Sequence, residues 1–126
     1  ITLHSKGILN DYLKEKKIKF YKKKNKTFLG EKRTVKINFF NFFKTINEII
    51  FFLKEKKIDI VHTNDTSIHL NWTIAAKIIG CKVVWHQRTL FPNWNLYKLI
   101  SFFSDKIISI SKYVNKSLPK FNKKNL

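Results

Sequence analysis

Methionine is absent from the 126 residues, cysteine occurs once, glycine three times, proline twice, and alanine only at Ala75 and Ala76. Because position 1 is also not methionine, Ile1 is not expected to be a translational start, and the chain is expected to be a fragment. A lone Cys81 excludes an internal disulfide and suits a reducing, cytoplasmic compartment. Gly7, Gly30 and Gly80 are too scattered for a glycine-rich phosphate loop, and no G-x-S-x-G elbow occurs. One cysteine and four dispersed histidines give no metal-ligand spacing, so no metal site is expected. The longest unbroken apolar run, Ile49 to Leu53, falls far short of the roughly 18 residues that suggest a membrane span. No basic, apolar and small-residue succession opens the chain, so no signal peptide is expected.

Acidic side chains are also scarce, 8 against 26 basic ones, for a formal net charge of +18. Charge of that size points to nucleic acid or an anionic membrane surface. A second source is visible, however: 24 of the 26 cations are lysine, and Lys, Ile, Phe and Asn, which share A/T-rich codons, supply more than half of the chain. Codon bias alone would leave lysines on a solvated surface. The length supports one compact domain and excludes a second full one.

Three β-rich runs recur at nearly even spacing, Ile58 to Thr63 (IDIVHT), Lys82 to His86 (KVVWH) and Lys106 to Ile110 (KIISI), each followed by a helical pattern. Ile68 to Ile79 is apolar on several faces, which predicts a largely buried helix stopped by Gly80. Leu96, Leu99, Ile100 and Phe103 have helical spacing after a loop at Pro92. Ser111 is placed to cap a short helix carrying Val114 and Leu118, with Pro119 beyond it. Strands and helices alternating at this period predict an α/β domain with a Rossmann-like parallel sheet and flanking helices, since parallel neighbours need a crossover. Upstream, YLKEKKIKF (Tyr12 to Phe20) and FLKEKKIDI (Phe52 to Ile60) are near copies, each a basic helix end running into a strand. Phe39, Phe42, Phe43, Ile46, Ile49, Ile50 and Leu53 form a wide apolar face on one long helix, and residues 22–33 read as a basic solvated loop.

In an open parallel sheet, ligands bind beyond the carboxyl ends of the strands. That places the candidates at His62, Asn64, Asp65 and Thr66, at His86, Gln87, Arg88 and Thr89, and at Ser111 and Lys112. Asp65 or Thr66 and Ser111 equally suit helix caps, and a cap can also hold a ligand. His86 ends an apolar strand at the site-facing edge; the alternative is a satisfied structural histidine. His62 lies one residue earlier relative to its strand end and is expected to be buried and hydrogen-bonded. Arg88 is one of two arginines, and its planar fork suits phosphate or carboxylate.

The series KKIDIVHTND, IAAKIIGCKVVWHQRT and SDKIISISKYVNKSL resembles the amino-terminal domain of family-4 glycosyltransferases of the two-Rossmann-domain (GT-B) fold. ITLHSKGILNDYLKEKKIKFY resembles the family stretch from its second strand to its third, so the likeness covers residues 1–118. Lys17 and Lys57 depart from it, standing where many relatives have glycine. The resemblance implies a partial amino-terminal, acceptor-side domain over 1–118, with 119–126 leading to a domain junction. It further implies a preceding strand and loop, and a following domain that binds the nucleotide-sugar donor. It implies retaining, metal-independent transfer without a cofactor, to a glycan or lipid-linked acceptor in bacterial surface polysaccharide synthesis. His86 matches the family histidine beside the transferred sugar, and Asn64, Arg88 and Ser111 match acceptor-facing loop positions; Asp65 and Lys112, which follow the same strands, are expected to bind substrate beside them.

A lipid-linked acceptor would bring a cytoplasmic enzyme to the inner face of the membrane, so an anionic lipid surface is a further expected partner. Two rivals stand beside this reading: a basic nucleic-acid-binding module and a non-catalytic truncated relative. Aromatics that stack bases lie exposed beside cations, whereas Trp72 and Trp85 sit inside apolar elements. No nucleic-acid partner is therefore expected.

Overall fold

The computed structural model describes residues 1–4, 7–23, 39–64, 66–91 and 95–119. The elements run β1 (Thr2–Leu3), α1 (Ile8–Glu15), β2 (Tyr21–Lys22), α2 (Phe39–Glu55), β3 (Ile60–Thr63), α3 (Thr66–Ile78), β4 (Lys82–Gln87), α4 (Asn95–Phe102), β5 (Lys106–Ser109) and α5 (Lys112–Lys116). This is the expected α/β alternation, with β3 starting two residues later and β4 ending one residue later than the sequence suggests. Asp65, Pro92, Trp94, most of the basic loop and residues 120–126 lie outside the described residues.

All strand pairings among the described residues are parallel. β3, β4 and β5 form one sheet in that order, with Val61 opposite Val83, Thr63 opposite Trp85, and Gln87 opposite Ser109. β1 and β2 form a separate pair, with Thr2 opposite Tyr21. Strand residues alternate between faces. Val61, Thr63, Val83, Trp85, Gln87 and Ile107 point into the core, while Ile60, His62, Lys82, Val84, His86, Lys106 and Ile108 occupy the other face, exposed or half-buried.

The core side is covered by α3, and the only two alanines of the chain explain how it fits. Ala75 and Ala76 are fully buried, and small side chains there let the helix settle close upon the sheet. α2 packs on α3 through Ile46, Ile49, Phe52 and Leu53, one side of a 3.6-residue repeat. The expected apolar face of α2 holds at Ile46, Ile49 and Leu53, with Phe42 and Ile50 packed against the core, and fails at Phe43, which is exposed; Phe40 and Phe51, outside that face, are exposed too. Of the four residues read as helically spaced around α4, Ile100 alone faces the core, and Phe103 falls just past the end of α4. Leu96, Leu99 and Phe103 are exposed, while Tyr97 and Ser101 are buried and Ile100 packs on the core. These three sit at i, i+3 and i+4 and form the inward stripe.

Three helix ends share one turn. Lys17 and Lys57 take left-handed backbone at φ 53° and 50°, and Gly80 at φ 82°. The Ile18, Ile58 and Cys81 N–H groups donate to the Leu13, Leu53 and Ala76 carbonyls, and Lys17, Lys57 and Gly80 donate to Lys14, Lys54 and Lys77. That is the Schellman pattern, which satisfies otherwise orphaned helix carbonyls. The near-copy segments therefore fold alike, without glycine at two of the three turns.

A candidate ligand site at the carboxyl ends of β3 to β5

The site begins with buried support. Trp85 is fully buried; its Nε1–H donates to Thr73 Oγ1 at 2.5 Å, and its ring stacks on His69 at 4.4 Å with 9° between planes. Thr63 Oγ1 and His69 Nδ1 are hydrogen-bonded at 2.5 Å. Polar groups this deep must be paired to be tolerated, so the pairs fix α3 against the ends of β3 and β4. His69, Thr73 and Thr63 were not singled out in the sequence. Their signal was nonetheless present, since His69, Thr73 and Ala76 follow i, i+4 and i+7 along the buried stripe.

Beyond this support stand the candidate residues. His62 is exposed rather than buried, a correction that follows from strand parity: Val61 and Thr63 point inward, so His62 points outward. His62 lies opposite Val84, two residues before His86 on the same face. The two imidazole rings meet at 5.8 Å with 31° between planes, and His86 is half-buried.

Gln87 points the other way and is fully buried. Its Nε2–H donates to the Thr89 carbonyl at 3.1 Å, and its own carbonyl accepts from the Ile110 N–H at 3.2 Å. Gln87 thereby holds the segment carrying Arg88 and Thr89 and the end of β5 that leads into Ser111. Arg88, Thr89, Asn64, Ser111 and Lys112 are exposed. Ser111 is the expected cap: its Oγ accepts from the Val114 N–H at 3.1 Å. Asp65 lies outside the described residues, so it is not placed.

At the opposite end of the sheet Asp105 serves structure. Burial alone would raise its carboxyl pKa, but hydrogen bonds from Lys77, the Val83 amide and Lys82 outweigh that and bring it down to about 2. Cys81 is buried, donates Sγ–H to the Ile58 carbonyl at 2.9 Å, and has its thiol pushed up by burial and by Asp59. Neither residue faces the carboxyl-end cluster. Among the described residues no group of three or more metal-ligating side chains gathers, and no helix is long and apolar enough to cross a membrane.

The cluster of imidazoles, amide, guanidinium and capped helix start at one sheet end can hydrogen-bond hydroxyls and bind an anionic group. The same arrangement of elements is found in solved structures. The chain superposes on MurG from Acinetobacter baumannii with a TM-score of 0.61 and 19% identity, over 87% of this chain and 32% of that one. It superposes on a glycosyltransferase from Rickettsia africae ESF-5 with a TM-score of 0.64 and 21% identity, over 96% of this chain and 30% of that one. This is the α/β fold of GT-B glycosyltransferases. The GT-B likeness is one of fold, and the chain spans about a third of the length of either neighbour. No protein-family model matches the sequence, and no curated protein matches it.

Proposed function

We propose that the chain is the acceptor-side part of a glycosyltransferase that moves a sugar from a nucleotide sugar to a glycan or lipid-linked acceptor in bacterial surface polysaccharide synthesis. The observation that carries this reading is the contact between exposed His62 and half-buried His86 at the carboxyl edge of a sheet whose fold is shared with two glycosyltransferases. Hydroxyl-rich ligands are bound by side chains that offer hydrogen bonds from ring nitrogens. In this reading His86 hydrogen-bonds the transferred sugar, Arg88 engages an anionic group of the acceptor, and Asn64, Asp65, Ser111 and Lys112 line its approach. The donor binds on a following domain, the reaction retains configuration, and no metal or cofactor takes part.

The test is made in the parent polypeptide. His86→Ala lowers kcat by about 10²-fold while leaving the melting temperature within a few degrees, because a bond made mainly in the transition state is lost as rate. Arg88→Lys instead raises the acceptor KM. Full activity of His86→Ala, or its failure to fold, would make the histidine structural and end this assignment.

The reading extends to the inner membrane surface. Exposed Phe40, Phe43 and Phe51 line an open groove of about 550 Å³ together with Lys23 and Lys44. Lysines near an anionic surface contribute about 1 kcal/mol each, screened over about 8 Å at physiological salt. Sedimentation with vesicles tests it. Binding to anionic but not neutral vesicles, weakening as salt rises, is the expected result; equal binding to both, or to neither, refutes it.

A further inference from the structure

The exposed residues after β4 form a short arch pinned at both ends. At its start, buried Gln87 reaches forward to the Thr89 carbonyl. At its end Phe91 is buried, stacked on Trp85 at 6.2 Å with 25° between planes and edge-on to Tyr97 at 6.1 Å. Between these anchors Arg88, Thr89 and Leu90 are all exposed, Leu90 by 52%. An exposed segment this short takes its shape from the scaffold at its ends, so the direction in which Arg88 projects depends on how firmly Gln87 and Phe91 are held.

The hold on Phe91 comes from α5. The Phe91 N–H donates to Ser117 Oγ at 2.8 Å, and the same hydroxyl donates to the Val114 carbonyl at 2.6 Å. A hydroxyl can accept and donate at once, and here both capacities are spent on backbone groups. Phe91 is buried, so an N–H there needs a protein partner. Helix α5 is anchored in turn by Val114 and Leu118, both buried.

These bonds close a circuit. Ser111 Oγ accepts from the Val114 N–H, the Val114 carbonyl accepts from Ser117, and Ser117 accepts from Phe91. Back along the arch, the Thr89 carbonyl accepts from Gln87 Nε2–H, and the Gln87 carbonyl accepts from the N–H of Ile110, the neighbour of Ser111. The loop carrying Arg88 and the corner carrying Ser111 and Lys112 are thus joined twice, by Ile110 to Gln87 and by Phe91 to Ser117. A single joint would leave a pivot; the second removes it.

We infer that Ser117 is a positioning residue of the acceptor side. Its hydroxyl fixes the Arg88 arch against α5, so that Arg88 and the Ser111–Lys112 corner keep one spacing for an anionic group. The inference rests on the acceptor-side reading of Arg88, and Ser117 acts through that arginine. Without the hydroxyl the arch samples orientations in which Arg88 points elsewhere, and apparent affinity falls by the fraction that stays competent.

The experiment is NMR on the 126-residue chain with inorganic diphosphate, whose neighbouring oxygens suit a guanidinium fork, in about 0.15 M salt to screen the exposed lysines. In the unaltered chain the Phe91 amide exchanges slowly with solvent. Ser117→Ala lowers the backbone order parameters of Arg88, Thr89 and Leu90 from about 0.85 to below about 0.6 and leaves those of Val83 and Ile107 unchanged. It also raises the diphosphate Kd, followed at the Thr89 amide, by about fivefold or more. Ser117→Thr keeps the hydroxyl and keeps both properties. Arg88→Lys weakens diphosphate binding without loosening the arch. A rapidly exchanging Phe91 amide, a rigid arch in Ser117→Ala, or outright unfolding of that variant overturns the inference and leaves the acceptor-side reading standing. A Kd that responds to Arg88→Lys but not to Ser117→Ala does the same. A Kd indifferent to Arg88→Lys instead overturns the reading of Arg88, and this inference with it.

Discussion

Lys17→Gly and Lys57→Gly should each stabilise the fold, and the size of the gain follows from the backbone. Both lysines hold left-handed φ at the C′ position of a helix, a conformation that costs a residue bearing a Cβ roughly 1–2 kcal/mol. Glycine removes that strain but adds unfolded-chain entropy worth about 0.5–1 kcal/mol. The net expectation is about 0.5–1 kcal/mol at each site. Both side chains are exposed and make no ion pair or hydrogen bond among the described residues, so little else is lost. The two turns are separate, and their effects should add. Urea denaturation of the single and double variants measures this, with the midpoint rising and the slope unchanged. The reverse change supplies the control. At Gly80 a Cβ would meet nothing within 4 Å, so Gly80→Ala tests conformational strain alone and should cost about 1 kcal/mol. A Lys57→Gly variant less stable than the parent chain, or a neutral Gly80→Ala, would refute the reasoning.

Asp105→Asn should cost about 1 kcal/mol at pH 7, most of the pKa-linked gain being screened because the residue is partly exposed. The carboxyl is depressed from 3.8 to about 2, so its contribution is complete above pH 4 to 5 and is lost as pH falls toward 2. Denaturation curves of the two proteins should therefore converge at low pH, and a gap that persists at pH 2 would exclude the ion-pair account. Thr73→Val keeps volume but strips the partner from the buried Trp85 indole N–H. It should cost about 1–3 kcal/mol, read as a fall in the thermal midpoint, and an unchanged midpoint would mean that the bond contributes nothing.

How far the fold could be read from the sequence depended on which interactions were local. The helix ends at Lys17, Lys57 and Gly80 were legible because a Schellman turn is written within six residues, and the repeated LKEKKI segment shows it twice. The buried α3 was legible because its apolar residues crowd every side. The inward face of α4 was not. Leu96, Leu99 and Phe103 outweigh Tyr97 and Ser101 by hydrophobicity, but the contact with α3 is set by tertiary fit, with Tyr97 and Ile100 supplying the area and Ser101 the clearance. Hydrophobic periodicity selects a helix more reliably than it selects which stripe faces inward when apolar residues are in excess, as they are in a chain with 17 isoleucines and 12 phenylalanines.

The candidate site divides along the same line. That the loops after β3, β4 and β5 gather at one sheet end follows from parallel topology, so Asn64, Arg88 and Ser111 could be nominated without coordinates. The pairing of His62 with His86 could not, because it needs the register between two strands. Opposed to Val84, His62 comes within ring contact of His86; a shift of β3 by one residue would turn His62 into the core and bring Val61 to the surface. Register here is held from below, by the Thr63–His69 bond and the His69–Trp85 stack. The buried polar residues of α3 thus hold the register that brings His62 and His86 into ring contact, and a change at His69 should separate the two imidazoles by loosening β3 against β4.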